Sequence, residues 1–285
     1  MVFKQKLRIA ALLVAIPLSA ANSFAGLVVI SGTSTTVAGI TTIRDQFRVA
    51  LGGGTTAGAN GLFDDGVKQR REINWDGVPD AFSAPNNLLS NFFNANSPRG
   101  AVFSTPGTGF QVSATPGVAP VNFGNIDLSY AATFLPFSNN RLFTPLGSNV
   151  MDINFFVPGT AVAGVTSGFG VIFSDVDNAG TTAIQVFDNL GNSLGAFAAS
   201  PLASGFSFLG IYFDDGTTPI RSARITTGNS ALGAGLTDAP PTRDVVVMDD
   251  FIFGNPVANV PEPGTLGLFA TGFVSAFLLR RRIIR

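Results

Sequence analysis

The sequence predicts an all-β protein, an antiparallel β-sandwich of jelly-roll type. Three observations carry that reading. Short runs of β-branched and aromatic residues recur along most of the chain, separated by clusters of Gly, Pro, Asp and Asn. Phenylalanine outnumbers tyrosine and tryptophan, with 27 Phe against 2 Tyr and 1 Trp, a composition that fills cores rather than building polar recognition surfaces. Cysteine is absent, so the core and not a disulfide framework must hold the fold.

The elements follow in order. Leu27–Ile30 and Thr41–Val49 are β-branched and partly alternating and predict two early strands, the second ending at Gly52-Gly53-Gly54. Residues 51–66 are small, polar and glycine-rich and predict a loop. A polar segment, Arg71 to Asp80, surrounds the sole tryptophan, Trp75. Residues 85–96 predict the one short helix, with Asn87 as its cap and Leu88, Leu89, Phe92 and Phe93 as its apolar stripe. Ala101–Ser104 and Gly109–Val112 flank Thr105-Pro106-Gly107-Thr108 and predict a hairpin. Val121–Gly124 and Arg141–Phe143 predict short strands. Val150–Val157 predicts a longer one, with Met151, Ile153 and Phe155 on its buried face. Gly168–Ser174 is followed by a predicted hairpin, Thr182–Phe187 with Ser193–Phe197. A second predicted hairpin joins Phe206–Phe213 to Arg221–Thr226 through Asp214-Asp215-Gly216, and Val245–Phe253 closes the series. No fixed-period repeat is present, which argues against a propeller or solenoid.

The two ends read differently from this body. Lys4, Lys6 and Arg8 precede an apolar run, Ile9–Leu18, and Ser23-Phe24-Ala25 forms a small-x-small junction before Gly26. That is the layout of a signal peptide helix over residues 1–25, cleaved between Ala25 and Gly26. At the other end Pro261-Glu262-Pro263 precedes an uncharged run, Thr265–Leu279, and then Arg280-Arg281-Arg282. As a helix the run is about 22 Å long, short for a hydrocarbon core of about 30 Å. It predicts a short C-terminal transmembrane helix with its arginines on the cytoplasmic side. The expected division is therefore 1–25 signal peptide, 26–257 exported domain and 258–285 sorting segment.

The tail resembles the PEP-CTERM sorting signal of Gram-negative bacteria that make extracellular polysaccharide. The resemblance rests on the order of Pro261, Glu262 and Pro263, a short apolar helix, and Arg280, Arg281 and Arg282. It implies recognition at the Pro-Glu-Pro motif by exosortase, an integral-membrane peptidase, and removal of the helix. An ordinary anchor that is never cut is the alternative reading. Within the body, Arg71–Gly77, Phe103–Phe110 and Met248–Phe251 resemble a widespread group of exported bacterial proteins of unknown function, a likeness that implies no activity. Met248–Phe251 also looks like the final strand of many jelly-roll lectins and carbohydrate-binding modules.

Charge and composition narrow the chemistry. Removing both ends takes away seven of the 17 basic residues and one of the 18 acidic ones, leaving ten against seventeen, a net charge of −7. An acidic body disfavours nucleic acid and anionic membrane as partners. With no histidine and no cysteine, Ser-His-Asp and thiol nucleophiles, thiolate metal sites and His-ligated zinc are all excluded. Any chemistry falls to carboxylates, hydroxyls or the body's one lysine, Lys68.

Three constellations remain. Asp175-Val176-Asp177-Asn178-Ala179-Gly180 begins like a calcium loop, but Ala179 and Val186 stand at its fifth and twelfth positions, so a complete EF-hand is ruled out. It is a looser calcium site or a solvated hairpin turn. Asp249 and Asp250 sit in the last strand, where alternation sends one carboxylate inward. An inward aspartate needs calcium, backbone amides or an arginine, for which Arg44 and Arg48 are the candidates. Glu72, Asp76 and Asp80 around Trp75 have the residue types of a glycosidase, or else of a salt-linked turn with Arg70 and Arg71 over a core tryptophan. The expected function is that of an exported, non-catalytic surface or matrix protein associated with exopolysaccharide and biofilm, anchored in the inner membrane before processing. The alternatives are a calcium-dependent carbohydrate-binding module with metal ligands among Asp175, Asp177, Asp249 and Asp250, and a glycan-cleaving enzyme using Glu72 and Asp76.

Overall fold

The computed structural model describes residues 26–55, 61–217 and 219–259. The predicted signal helix, with Ala25, and the predicted C-terminal helix, with the sorting residues, lie outside the described residues. No helix among the described residues is long and apolar enough to cross a membrane.

In chain order the elements are β1 (Leu27–Ser34), α1 (Val37–Leu51), β2 (Leu62–Asp64), β3 (Gln69–Ile73), α2 (Phe92–Ala95), β4 (Ala101–Ser104), β5 (Gly109–Val112), α3 (Tyr130–Thr133), β6 (Phe143–Leu146), β7 (Val150–Phe155), β8 (Gly164–Val165), β9 (Gly168–Val176), β10 (Ala183–Phe187), β11 (Ser193–Ala198), β12 (Leu202–Phe213), β13 (Ser222–Thr226), β14 (Val247–Gly254) and β15 (Val257–Ala258). Every ladder is antiparallel. The larger sheet runs β1-β12-β9-β14-β3-β2, with β6 also on β14 and β5 on β6; the smaller runs β11-β10-β13-β7-β4. One apolar layer joins them, drawing Phe169, Val171, Phe251 and Phe253 from the larger sheet and Phe103, Ile153, Phe155 and Ile225 from the smaller.

The other face of the larger sheet is covered by α1, where the sequence pattern predicts a strand. Its buried positions, Ile40, Arg44, Phe47, Arg48 and Leu51, follow helical spacing. Two features offset the poor helix propensity of Thr41 and Thr42. Their hydroxyls donate to the carbonyls of Val37 and Ala38, and Thr36 caps the helix by accepting from the Gly39 amide. Gly52 ends it at φ 103°. The strands beneath make room for the helix: Gly170 and Gly210 face each other across the β9–β12 ladder, and the Phe47 ring rests on both. Because β9 lies between α1 and the smaller sheet, all of its residues are buried.

Other expectations are corrected too. Residues 85–96 form only a one-turn helix, α2, preceded by Asn91 and not Asn87. Upstream, the Leu88 amide donates to the Phe110 carbonyl and the Ser90 carbonyl accepts from Phe103, so the backbone there is committed to strand-like pairing. The two predicted hairpins at β4–β5 and β12–β13 are crossings between sheets: β4 pairs with β7 and β5 with β6, while β12 pairs with β1 and β9 and β13 with β7 and β10. Residues 121–124 form turns, with Asn122 and Phe123 at positive φ. The predicted loop over 51–66 contains β2. By contrast β7 buries Met151, Ile153 and Phe155 in alternation, and β10–β11 is a hairpin.

Candidate functional site

The end of β9 gathers carboxylates. Asp175, buried and at φ 67°, turns its Oδ1 to accept the Ser204 amide at 2.7 Å. Asp177 follows it, and Asp238 arrives from a loop some sixty residues later, so that one oxygen from each of the three lies within 4.8 Å of the others. Asp244, fully buried, stands beside them. It is satisfied by the amides of Asp177 and Asn178 and by the Thr181 hydroxyl, and so shapes the loop rather than facing it.

The cluster is electrostatically loaded. Burial pushes the Asp175 carboxyl up to about 6, helped by Asp238 and Asp244 and opposed by the Ser204 amide. Burial and the adjoining Asp238 carboxylate push Asp177 up to about 7. Asp177 Oδ2 is buried with no hydrogen-bond partner. Several converging carboxylate oxygens are the donor chemistry of a hard divalent ion such as calcium. Sequence spacing pointed to Asp175 and Asp177 but not to Asp238, which lies in Thr237-Asp238-Ala239-Pro240-Pro241 with no local signal linking it to them.

Asp249 and Asp250 do not join this group. Alternation along β14 predicts one inward and one outward carboxylate, yet both are buried, 0% and 2% exposed, because the sheet is covered on both faces. Asp249 accepts from the amides of Phe137 and Ser138 at 2.7 and 3.1 Å and from the Ser138 hydroxyl at 2.8 Å. Asp250 pairs with Arg44 at 3.3 Å, from α1 rather than from an early strand. Burial holds both carboxyls above the usual range. The Asp250 charge adds to the rise at Asp249; at Asp250 the Glu72 charge adds to it and Arg44 and Arg48 oppose it.

Nor does the Trp75 segment build a sugar platform. The indole is 1% exposed, stacks on Phe143 at 4.0 Å and donates to the Asp249 carbonyl. Glu72 belongs to the helix side of the sheet, where Arg48 and Arg70 hold its two oxygens at 2.5 and 2.7 Å. Asp76 accepts from the Asn140 amide, and Asp80 pairs with Arg141 at 2.6 Å. The expected salt-linked surface turn is in fact a buried ion-pair network at Glu72 and a separate pair at Asp80.

These features define a chain with a mostly β, antiparallel body. Its class is given by the segment that follows: residues 259–282 match the family model of the PEP-CTERM protein-sorting motif. The match covers Pro261, Glu262, Pro263, Arg280, Arg281 and Arg282. Such a signal marks an exported protein that is held at the membrane before processing and then sorted by exosortase, itself a membrane protein. Comparison with curated proteins returns no match.

Proposed function

We propose that the chain is an exported, non-catalytic surface or matrix protein whose β-sandwich body, of jelly-roll type, is displayed among extracellular polysaccharide after its C-terminal segment is processed. The sorting motif at residues 259–282 carries this reading. Two sheets sharing one apolar layer support the sandwich, and the net charge of −7 on residues 26–259 supports a partner other than nucleic acid or anionic lipid. The test is expression of the full chain in a host with and without its exosortase, followed by fractionation and intact-mass measurement. The expected result is a product shortened at both ends, at Ala25/Gly26 and near Pro261-Glu262-Pro263, and found at the surface or in the matrix. An uncut tail in both hosts, or retention in the cytoplasm, overturns it.

A second reading, a calcium-dependent carbohydrate-binding module, is favoured by the convergence of Asp175, Asp177 and Asp238. It predicts heat on titration with calcium, and polysaccharide binding that chelator abolishes. Polysaccharide binding that survives chelation, or no calcium binding, removes it. A glycan-cleaving role for Glu72 and Asp76 finds no support in a Glu72 held by two arginines.

A further inference from the structure

β1 closes the larger sheet on one side. All of its residues, Leu27–Ser34, pair with β12 without a register shift, and no described strand lies beyond it. The Asp214 amide donates to the Gly26 carbonyl, which sets the phase of the antiparallel ladder. The even-numbered residues of β1 bond to β12, and the N–H and C=O groups of Leu27, Val29, Ser31 and Thr33 turn outward. None of these outward groups has a hydrogen-bond partner among the described residues. A flat edge of this length is a template for another strand.

Other edges are blunted. β2 is three residues long and ends in Asp64, and β11 is bulged against β10. β4 is covered where the Phe103 amide donates to the Ser90 carbonyl. β1 has none of these devices, and it carries neither a proline nor a charge.

The surroundings of this edge identify what it can meet. Residues 26–43 contain no charged side chain. At 3.6 residues per turn, the flank of α1 above β1 is formed by Gly39, Thr42, Ile43, Gln46 and Ala50, with Ile43 seated on Gly32 of β1. The charged residues of the helix lie on the opposite flank, where Arg44 reaches Asp250 of β14 and Arg48 reaches Glu72 of β3. Two bodies of net charge −7 repel one another, and on this side they can approach without setting like charges together. The edge is also self-complementary. A two-fold axis at Ile30 sets Leu27 against Thr33 and Val29 against Ser31, so every outward group of one copy meets its counterpart in the other. We propose that the body forms a reversible homodimer by antiparallel pairing of β1 with β1 of a second copy, extending the larger sheet across both. The strand is about 27 Å long. With the helix flank the contact is about 20 Å deep, so about 1,000 Å² is buried in all, the size of a weak, concentration-dependent interface.

The full-length chain in detergent is followed by analytical ultracentrifugation as its concentration is raised, and then by disulfide trapping. A mass moving from one chain to two is expected. Ser31 is exposed and makes no side-chain hydrogen bond among the described residues, so Ser31→Lys leaves the body intact and should weaken the dimer about tenfold or more by placing like charges along the seam. The chain has no cysteine, so introduced ones report the register. Ile30→Cys should cross-link to itself under mild oxidation, the two Cα atoms lying about 4.5 Å apart at the axis. Val29→Cys and Ser31→Cys should each remain uncross-linked alone and cross-link when mixed, a trap that holds even if Ile30→Cys fails to fold. A chain that is monomeric at every concentration leaves the edge to a strand of another protein and overturns the proposal. A dimer that Ser31→Lys leaves unchanged, or that neither cysteine arrangement traps, overturns it as well and assigns association to the C-terminal segment.

Discussion

Arg48 Nη2 and Glu72 Oε2 meet at 2.5 Å under α1, both side chains almost wholly buried, and Arg70 holds the other Glu72 oxygen. One carboxylate thereby bridges two guanidinium groups between helix and sheet, while Asp250 serves Arg44 beside them and Asp45 touches both Arg44 and Arg48. The network is what allows three arginines to sit at an interface that also contains Phe47, Ile172 and Ile252.

Glu72→Gln should therefore act on stability. Removing one charge of a buried pair costs about 3–5 kcal/mol where the partner is left uncompensated, and because Arg48 keeps Asp45 at 3.2 Å the loss here should fall toward the low end of that range. Chemical denaturation should show that loss at unchanged m-value; a loss below about 1 kcal/mol would mean that water reaches Arg48.

The Asp175–Asp177 pair sets a pH dependence of definite sign. Both folded pKa values, about 6 and about 7, lie above the ordinary aspartate value of 3.8. Between pH 4 and 7 the folded chain keeps protons that the unfolded chain has released, so stability is greatest at the acid end of this window and falls as pH rises through it. Asp177→Asn should raise Tm at pH 7.5 and flatten the profile, by about 2–4 °C if the relief is near 1 kcal/mol for a domain of this size. Equal melting of both chains at pH 7.5 would contradict the electrostatic account.

Calcium should reverse the same penalty. At one hundred times its dissociation constant a ligand specific for the folded state adds about 2.7 kcal/mol, so millimolar calcium should raise Tm at pH 7.5, chelator should lower it again, and Asp238→Ala should abolish the difference. A calcium response unchanged in Asp238→Ala would place the ion elsewhere.

Gly210→Ala tests the seat of α1. A Cβ there would lie 2.6 Å from the Phe47 ring, and overpacking of this kind costs about 1–3 kcal/mol. Combining it with Phe47→Leu should cost less than the sum of the two changes; strict additivity in a double-mutant cycle would separate Gly210 from Phe47.

How far the molecule was legible depended on whether the deciding contact was local. The face of β7 could be read from Met151, Ile153 and Phe155 because alternation is a property of neighbours in sequence. The helix at Val37–Leu51 was obscured by Thr41, Thr42 and Ile43, whose strand preference is overruled by the cap at Thr36 and by the paired glycines Gly170 and Gly210, more than a hundred residues away. The turns after Ser104 and Phe213 carry ordinary turn residues, and nothing local says that each passes from one sheet to the other. Asp175 and Asp177 were visible as alternating carboxylates, whereas Asp238 joins them only once distant segments meet.

The direction of β9 bears on how the body would meet its surroundings. Its Gly168 end pairs with Tyr212 of β12, next to Phe213, where β1 starts opposite. Ser167, Phe213 and Val257 line one cleft there, so the first strand and the last described residues share one pole. Asp175 stands at the opposite end, about 23 Å further along the strand at 3.3 Å per residue. A body tethered through its tail would hold that pole inward and point the carboxylate cluster into the medium, where the supply of divalent ions is set by the environment and not by the cell.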